Sequence, residues 1–253
     1  MDVELTAIIL TLNEERNIAA CIESVRFADE IIVFDSGSSD RTGEIAAELG
    51  AIVRQHPFRN YSQQRQAALQ QADAAWVLFV DADERATPEL AAEVRRVIAG
   101  KGEPVGYWVP RKNFMFGKWI RGGGWSPDYQ LRLLRPDRAH YDPAREVHEF
   151  ALLDGPAGYL ESRLIHYNYD SVAEFRAKQG RYIDFEARIL RERGVHARPY
   201  TYLTMPLREF WRRFISLRGC RDGAYGLLLA GLMAYYVFLT YLRLRRLWRE
   251  PVN

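Results

Sequence analysis

The chain has 253 residues, enough for one large domain or one domain with an appendage. Lys and Arg total 35 against 33 Asp and Glu, a formal charge of +2, which argues against nucleic acid as the main partner. Aromatic residues make up 13% of the chain, with 14 Tyr and 6 Trp, which suits a packed core, sugar stacking or a membrane interface.

The first hundred residues alternate between strand-like and helix-like patterns. Leu5 to Leu12 is an apolar strand, and Asn13-Glu14-Glu15 opens a helix with Ile18, Cys21, Ile22 and Val25 on one face. Glu30 to Phe34 is a second strand, running into Asp35-Ser36-Gly37-Ser38-Ser39-Asp40. Asp40 reads as the N-cap of a helix that stops at Gly50. Ala51 to Arg54 is a short third strand, and Ser62 to Ala72 a helix. Trp76 to Asp81 is a buried strand, and Thr87-Pro88 starts a helix that ends at Gly100. Such alternation implies parallel pairing through right-handed crossovers, hence an α/β sheet.

After residue 104 the pattern changes to mixed-sheet and loop structure. Gly106 to Phe114 and Tyr129 to Arg135 alternate as strands, with Gly122-Gly123-Gly124-Trp125 as a flexible turn between them. Tyr159 to Tyr167 is expected as one more strand, and from Ser171 the chain turns helical. Gly223 to Leu242 is a 20-residue run without a charge, just long enough to cross a bilayer. Arg208, Arg212, Arg213, Arg218 and Arg221 precede it, and Arg243, Arg245, Arg246 and Arg249 follow. Basic flanks on both sides give no positive-inside asymmetry, so the expectation is a helix or hairpin on the inner leaflet, with a soluble packed helix as the alternative. Cys21 and Cys220 lie far apart with no ligand spacing, consistent with a reducing compartment, and the N-terminus has no signal-peptide pattern.

The densest chemistry lies in Asp81-Ala82-Asp83-Glu84, directly after the buried strand. Two carboxylates beyond the carboxyl end of a parallel strand form a hard-oxygen site for a divalent cation that holds phosphate. A lone Asp at a strand end also serves simply as a turn residue. The partners of this motif are AIILTLNEERNI, EIIVFDSGSSDRT, Gln64-Arg65, FVDADE, GGGWSPDYQLRLLR and REVHE, in that order across residues 3 to 170. Together they resemble an inverting family-2 glycosyltransferase with the GT-A fold. The likeness is closest to lipopolysaccharide core heptose glucosyltransferases, whose tail pattern WRRFISLRGCRDGAYG also fits.

That resemblance implies a Rossmann-like nucleotide-binding half with a mixed central sheet at 1–100, an acceptor half at 101–170, and helical membrane-associated structure at 171–253. It implies a UDP-sugar donor, Mg²⁺ or Mn²⁺, and a lipid-linked glycan acceptor at the cytoplasmic face of the inner membrane, with a homo-oligomer as a further possibility. It gives Asp83 the direct metal contact, sets Asp81 on the ribose or a metal-bound water, and counts Ala82 between them among the donor-binding residues. Thr11, Leu12, Asn13 and Glu14 border the nucleotide, with an N-terminal helix charge as the other role for Glu14. Asp35 is expected on the uracil N–H, although Asp35 and Asp40 can equally cap and turn the chain, and Ser36 stands where the family commonly has a second acid. Arg65 is a donor contact or a solvated helix residue. Asp128 aligns with the catalytic base, with Pro127 in place of the family's usual Glu and with Glu146 and Glu149 as rivals. Trp125, Gln130, Arg132 and Glu149 are assigned to the acceptor or pyrophosphate, Gln130 and Arg132 sharing a face under period two. Arg135 follows them on the same segment. His148 is a third metal ligand or a pyrophosphate contact, and His166 reads as structural.

Three other readings compete. A polyprenyl-phosphate acceptor would need little help from a base. A phosphohydrolase resembling the haloacid dehalogenases would use the same Asp-x-Asp, although the motif stands late in the chain for that. A non-catalytic membrane adaptor would keep the fold and bind no nucleotide sugar.

Overall fold

The structure is a computed structural model that describes residues 3–100, 102–142 and 151–249. In chain order the elements are β1 (Val3–Thr11), α1 (Ile18–Ser24), β2 (Glu30–Asp35), α2 (Thr42–Glu48), β3 (Ile52–Gln55), α3 (Tyr61–Leu69), β4 (Ala74–Asp81), β5 (Glu84–Ala86) and α4 (Pro88–Ile98). Next come β6 (Gly106–Met115), β7 (Lys118–Trp119), β8 (Tyr129–Leu134), β9 (Ala139–Tyr141), β10 (Ala151–Leu153), β11 (Ala157–Tyr159) and β12 (Leu164–Tyr169). The helices α5 (Val172–Glu192), α6 (Thr201–Trp211) and α7 (Ala224–Leu247) complete the chain. Two compact units result: Met1–Lys112 with Tyr129–His166, and Asn113–Asp128 with Tyr167–Asn253. The segment Asn113–Asp128, expected in an acceptor half ending near residue 170, thus groups with the helical region.

The main sheet has the order β3-β2-β1-β4-β8-β6-β12-β5. Strands β1, β2, β3 and β4 are parallel, whereas β8 is antiparallel to both β4 and β6. The chain moves outward from β1 through β2 to β3, then returns through α3 to place β4 on the other side of β1. That reversal is the switch point at which open α/β sheets bind ligands. Register puts Thr11 opposite Asp35 and Leu10 opposite Asp81, so three strand ends and their polar residues share one edge.

Continuous apolar runs form these strands because both sheet faces are covered. Leu5, Ala7, Ile9, Leu78 and Val80 pack with Ile18, Cys21 and Ile22 of α1 and with Leu90 and Val94 of α4. On the opposite face Ile8, Phe34, Val77 and Phe79 pack with Ala68 and Leu69 of α3. Thr87 caps α4 by accepting from the Leu90 N–H, as its sequence pattern predicts. Helix α1 begins at Ile18 rather than at Asn13, because Asn13 adopts φ 56° in the preceding loop. The single strand expected over 159–167 is interrupted into β11 and β12.

In the second unit the triple glycine is packed rather than flexible. Gly122 and Gly123 are buried, and the backbone N–H groups of Arg121 and Gly122 donate to the buried Asp222 carboxylate at 2.9–3.1 Å. A Cβ on Gly122 would stand 2.3 Å from the Arg218 carbonyl oxygen, and one on Gly226 would stand 1.8 Å from that of Gly219. Nothing lies within 4 Å of the equivalent point on Gly231, in the same helix as Gly226. Gly226→Ala is therefore expected to destabilise the helical unit by about 1–3 kcal/mol through overpacking. Gly231→Ala should instead stabilise it by about 0.5–1 kcal/mol through backbone entropy. Urea unfolding followed by helical circular dichroism checks the opposite signs.

Candidate active site

The edge at the ends of β1, β2 and β4 carries two stitched loops and a buried charge cluster, all within the first unit. In the loops, Ser38 Oγ accepts from the Asn13 N–H at 2.9 Å, and Asn13 Oδ1 accepts from the Ser39 N–H at 2.8 Å. The Glu14 N–H donates to Thr42 Oγ1 at 2.8 Å, and the Glu14 carboxylate accepts from Asn17 Nδ2 at 2.8 Å beside the start of α1. Asp40 accepts from the Thr42 N–H at 3.0 Å and so closes the turn into α2. Leu12 is exposed at the rim.

Asp35 is buried, and its carboxylate accepts from both the N–H and the hydroxyl of Ser38. The structure therefore shows the loop-closing role of Asp35. Beside it, Ser36 Oγ accepts from Gln64 Nε2 at 3.1 Å, and Gln64 Oε1 lies 2.9 Å from His56 Nδ1. His56 stacks on Phe34 with ring centroids 5.4 Å apart. Of these three, the sequence marks Ser36 and Gln64 only as members of motifs and gives His56 no signal at all. At the end of β1 the Thr11 hydroxyl is buried and has no hydrogen-bond partner among the described residues. Buried polar groups are rarely left so unless a ligand or water meets them.

The second feature is an ion network around the Asp81-Ala82-Asp83-Glu84 turn. Asp81 accepts from Arg65 at 3.1 Å and from both terminal nitrogens of Arg132. Glu84 is fully buried and bonds Arg132 at 3.0 Å, Arg111 at 3.1 Å and the Asp81 N–H at 3.0 Å. Burial alone would raise the Asp81 carboxyl, but the guanidiniums of Arg132 and Arg65 outweigh it and hold the group well below the usual carboxylate range. Burial would likewise lower Arg132, yet Asp81 and Glu84 drive it above its ordinary value. Arg85 pins the turn by donating to the carbonyls of Ala82 and Glu84 and to Asn17 Oδ1.

Two sequence expectations change here. Arg132 does not pair with Gln130 on one strand face. Opposite Tyr107 and Trp108 on β6 stand Leu133 and Leu131 on β8, so Arg132 is the extra residue of a β-bulge. A bulge breaks period-two alternation, and Arg132 is buried against Asp81 and Glu84 while Gln130 stays half-buried. Arg65 is also buried on Asp81 rather than lying on a solvated helix face.

Asp83 differs from Asp81. Its side chain keeps 22% of its exposure, and His166 Nε2 lies 3.4 Å from its Oδ2. His166 arrives because β12 pairs antiparallel with β5 and sets His166 opposite Glu84. From sequence alone this histidine reads as structural, and the structure sets it against Asp83. No group of three or more His, Cys, Asp or Glu suited to a metal occurs among the described residues. One carboxylate with one imidazole nevertheless fits a Mg²⁺ or Mn²⁺ that completes its shell with substrate phosphates and water. His148, Glu149 and Glu146 lie outside the described residues.

Asp128 belongs to the second unit and is half-buried immediately before β8. The buried Asn113 donates through Nδ2 to Asp128 Oδ2 at 2.9 Å and to the Trp125 carbonyl at 2.8 Å. Trp125 packs against the core of that unit, with the Arg213 guanidinium 5.5 Å from its ring centroid.

A parallel nucleotide-type sheet ending in an Asp-x-Asp turn defines a class, and comparison with known proteins bears this out. The glycosyl transferase family 2 model matches residues 6–148. The chain is 32% identical over 247 residues to the lipopolysaccharide core biosynthesis glycosyltransferase LpsC of Rhizobium meliloti (strain 1021), covering 93% of this chain and 90% of that one. An uncharacterized glycosyltransferase of Rickettsia bellii (strain RML369-C) is 39% identical over 101 residues, which is 40% of this chain and 34% of that one. Among solved structures, S. aureus TarS 1–349 in complex with UDP aligns with a TM-score of 0.48 at 16% identity, over 99% of this chain and 94% of that one. The chain belongs to glycosyl transferase family 2 and is a glycosyltransferase.

Proposed function

We propose that the enzyme transfers a hexose, glucose in the first instance, from a UDP-sugar to a lipopolysaccharide inner-core or other envelope glycolipid acceptor. The observation that carries the donor half of this reading is the edge at β1 and β4. There a partly exposed Asp83 carboxylate beside His166 accompanies a buried Thr11 hydroxyl that has no partner among the described residues. The acceptor half draws on the likeness to LpsC over most of both chains. The acceptor would be met at the cytoplasmic face of the inner membrane.

In this reading Asp83 and His166 hold the divalent cation, which when bound stabilises negative charge on the departing diphosphate. Arg132 and Arg65 fix Asp81 so that the turn presents Asp83 in one orientation. The Ser36, Gln64 and His56 chain shapes the wall against which the base rests, and Asp35 keeps that loop closed. Asp128, oriented by Asn113, takes the proton from the acceptor hydroxyl as that oxygen attacks the anomeric carbon from the face opposite the diphosphate. Glycosidic oxygen replaces phosphate oxygen at that carbon, and the configuration inverts.

The test is turnover of a UDP-, GDP- and dTDP-sugar panel with a lipopolysaccharide-core acceptor, with and without Mg²⁺ or Mn²⁺. Metal-dependent consumption of one UDP-sugar supports the reading, and absence of nucleotide-sugar binding overturns it. Mn²⁺ binding in the presence of UDP, followed by electron paramagnetic resonance, examines the metal site without turnover. His166→Gln is expected to weaken Mn²⁺ by about 10–100-fold, and Asp83→Asn by at least as much. Unchanged Mn²⁺ affinity in Asp83→Asn would remove the metal from this turn.

A further inference from the structure

We propose that the exposed face of α6 and the turn that follows it is a docking face for an anionic bilayer surface. The charge-free run of α7 would then support this face rather than cross the membrane. The observations lie wholly within the second unit and are independent of the transferase chemistry.

Helix α7 is the one described helix long and apolar enough to cross a bilayer. A third of its apolar stretch is buried within its own unit, along one face. Leu229 and Tyr236 are buried in a cluster with Phe175 of α5, and Tyr241 and Leu244 in a second cluster with Ala187 of α5 and Tyr202 and Met205 of α6. Arg243 bonds Asp184 of α5 at 2.5 Å. A spanning α7 would have to leave these partners or take α5 with it. Helix α5 carries Arg176, Lys178, Asp184, Glu186 and Arg188, which hydrocarbon does not accept.

Helix α6 has the opposite character. Tyr200, Leu203, Leu207, Trp211 and Ile215 recur every three to four residues, the spacing of one helix face. Leu203, Leu207 and Trp211 are 65%, 57% and 63% exposed, unusually high for large apolar side chains aligned in a stripe. The inward residues Thr201, Tyr202 and Met205 hold the other face on the unit. Arg208 and Arg212 are exposed one residue beyond Leu207 and Trp211, and Arg218 and Arg221 are exposed on the next turns. Glu209, the acid of α6, is bonded to Arg212 and Arg213 rather than presented to solvent as a lone negative charge. Apolar residues with Trp and Tyr along a stripe, edged by arginines on long stems, match the depth profile of an interfacial helix on anionic lipid. The charge complementarity selects a negatively charged surface over a neutral one.

The experiment is co-sedimentation of the full chain with large vesicles of phosphatidylcholine alone or with 30% phosphatidylglycerol (an arbitrary but usual load, roughly a third anionic). Leu207→Glu and Trp211→Glu are compared with Leu228→Glu, an exposed apolar residue of α7. Circular dichroism and a melting curve establish that each variant is folded. Both α6 variants are expected to lose about tenfold or more in affinity for the anionic vesicles. Arg208→Gln should lose about fivefold, 0.5 M salt should weaken all binding, and nucleotide-sugar binding should not change. Alkaline carbonate should release the chain from membranes. Wild-type vesicle binding by both folded α6 variants would overturn the proposal. So would resistance to carbonate, which would make α7 a span, or a loss of self-association without any vesicle binding, which would make the face a contact between copies.

Discussion

Asp128→Asn is expected to lower kcat by about 10²–10⁴-fold, the range supplied by a positioned general base. The amide is nearly isosteric, and its oxygen can still accept from Asn113 Nδ2, which donates to Asp128 Oδ2 in the native chain. The variant should therefore keep its fold and bind the UDP-sugar within about twofold of wild type, because the lost interaction acts in the transition state alone. The rising acid limb of the wild-type kcat/KM profile should flatten in the variant, a change that a structural role would not produce. Asn113→Ala should give a smaller loss of about tenfold, since it frees the carboxylate to turn without removing it. A variant that retains more than about a tenth of kcat would move the base elsewhere. Glu146 and Glu149 would come next, and an acceptor that is already an anion, such as a polyprenyl phosphate, would become the better reading.

Strands β1, β2 and β4 were legible because burial on both faces makes each a continuous apolar run, a local signal that needs no partner. The polar residues at their ends followed: once the strands are parallel and in register, Thr11, Asp35 and Asp81 must share an edge. Thr87-Pro88 announced α4 because capping chemistry is also local. What stayed hidden depends on distant chain. His166 reaches Asp83 through the pairing of β12 with β5, a three-residue strand too short to show any pattern. Arg132 looked like half of an outward pair because a bulge cannot be read from alternation. The triple glycine looked flexible because the reason for it, the carbonyl of Arg218 pressed against Gly122, lies in another part of the sequence. Glu84 was the nearest miss, since an acid directly after Asp81-Ala82-Asp83 already hinted that the turn needed cations.

Those cations set the second large effect. Arg132→Met is expected to destabilise the first unit by about 3–5 kcal/mol, because it leaves two carboxylates facing a site built for a guanidinium. Glu84 is fully buried, and Arg111 stays on Glu84 and Arg65 on Asp81, but the guanidinium that bonds both acids is gone. Cys21 supplies a readout specific to this unit: it is buried against α1's core partners, and burial pushes its thiol far above the ordinary range. In a Cys220→Ser background, labelling of Cys21 reports opening of the first unit, and its rate should rise by roughly 150- to 5,000-fold in the variant. The pH dependence carries a definite sign. In the native chain the Asp81 carboxyl is held below its unfolded value, so its contribution is complete above about pH 4 and falls away as pH drops through the lower folded value. Without Arg132 the carboxyl is held down less strongly, because Arg65 still bonds Asp81, so the variant loses less on protonation than the native chain does. The stability gap between variant and native chain should therefore narrow as pH falls below about 4, after correction for intrinsic thiol reactivity. A gap that stays constant over that range would show that Arg132 contributes packing rather than charge, and the reason for the clamped Asp81 beside an open Asp83 would have to be found elsewhere in the turn.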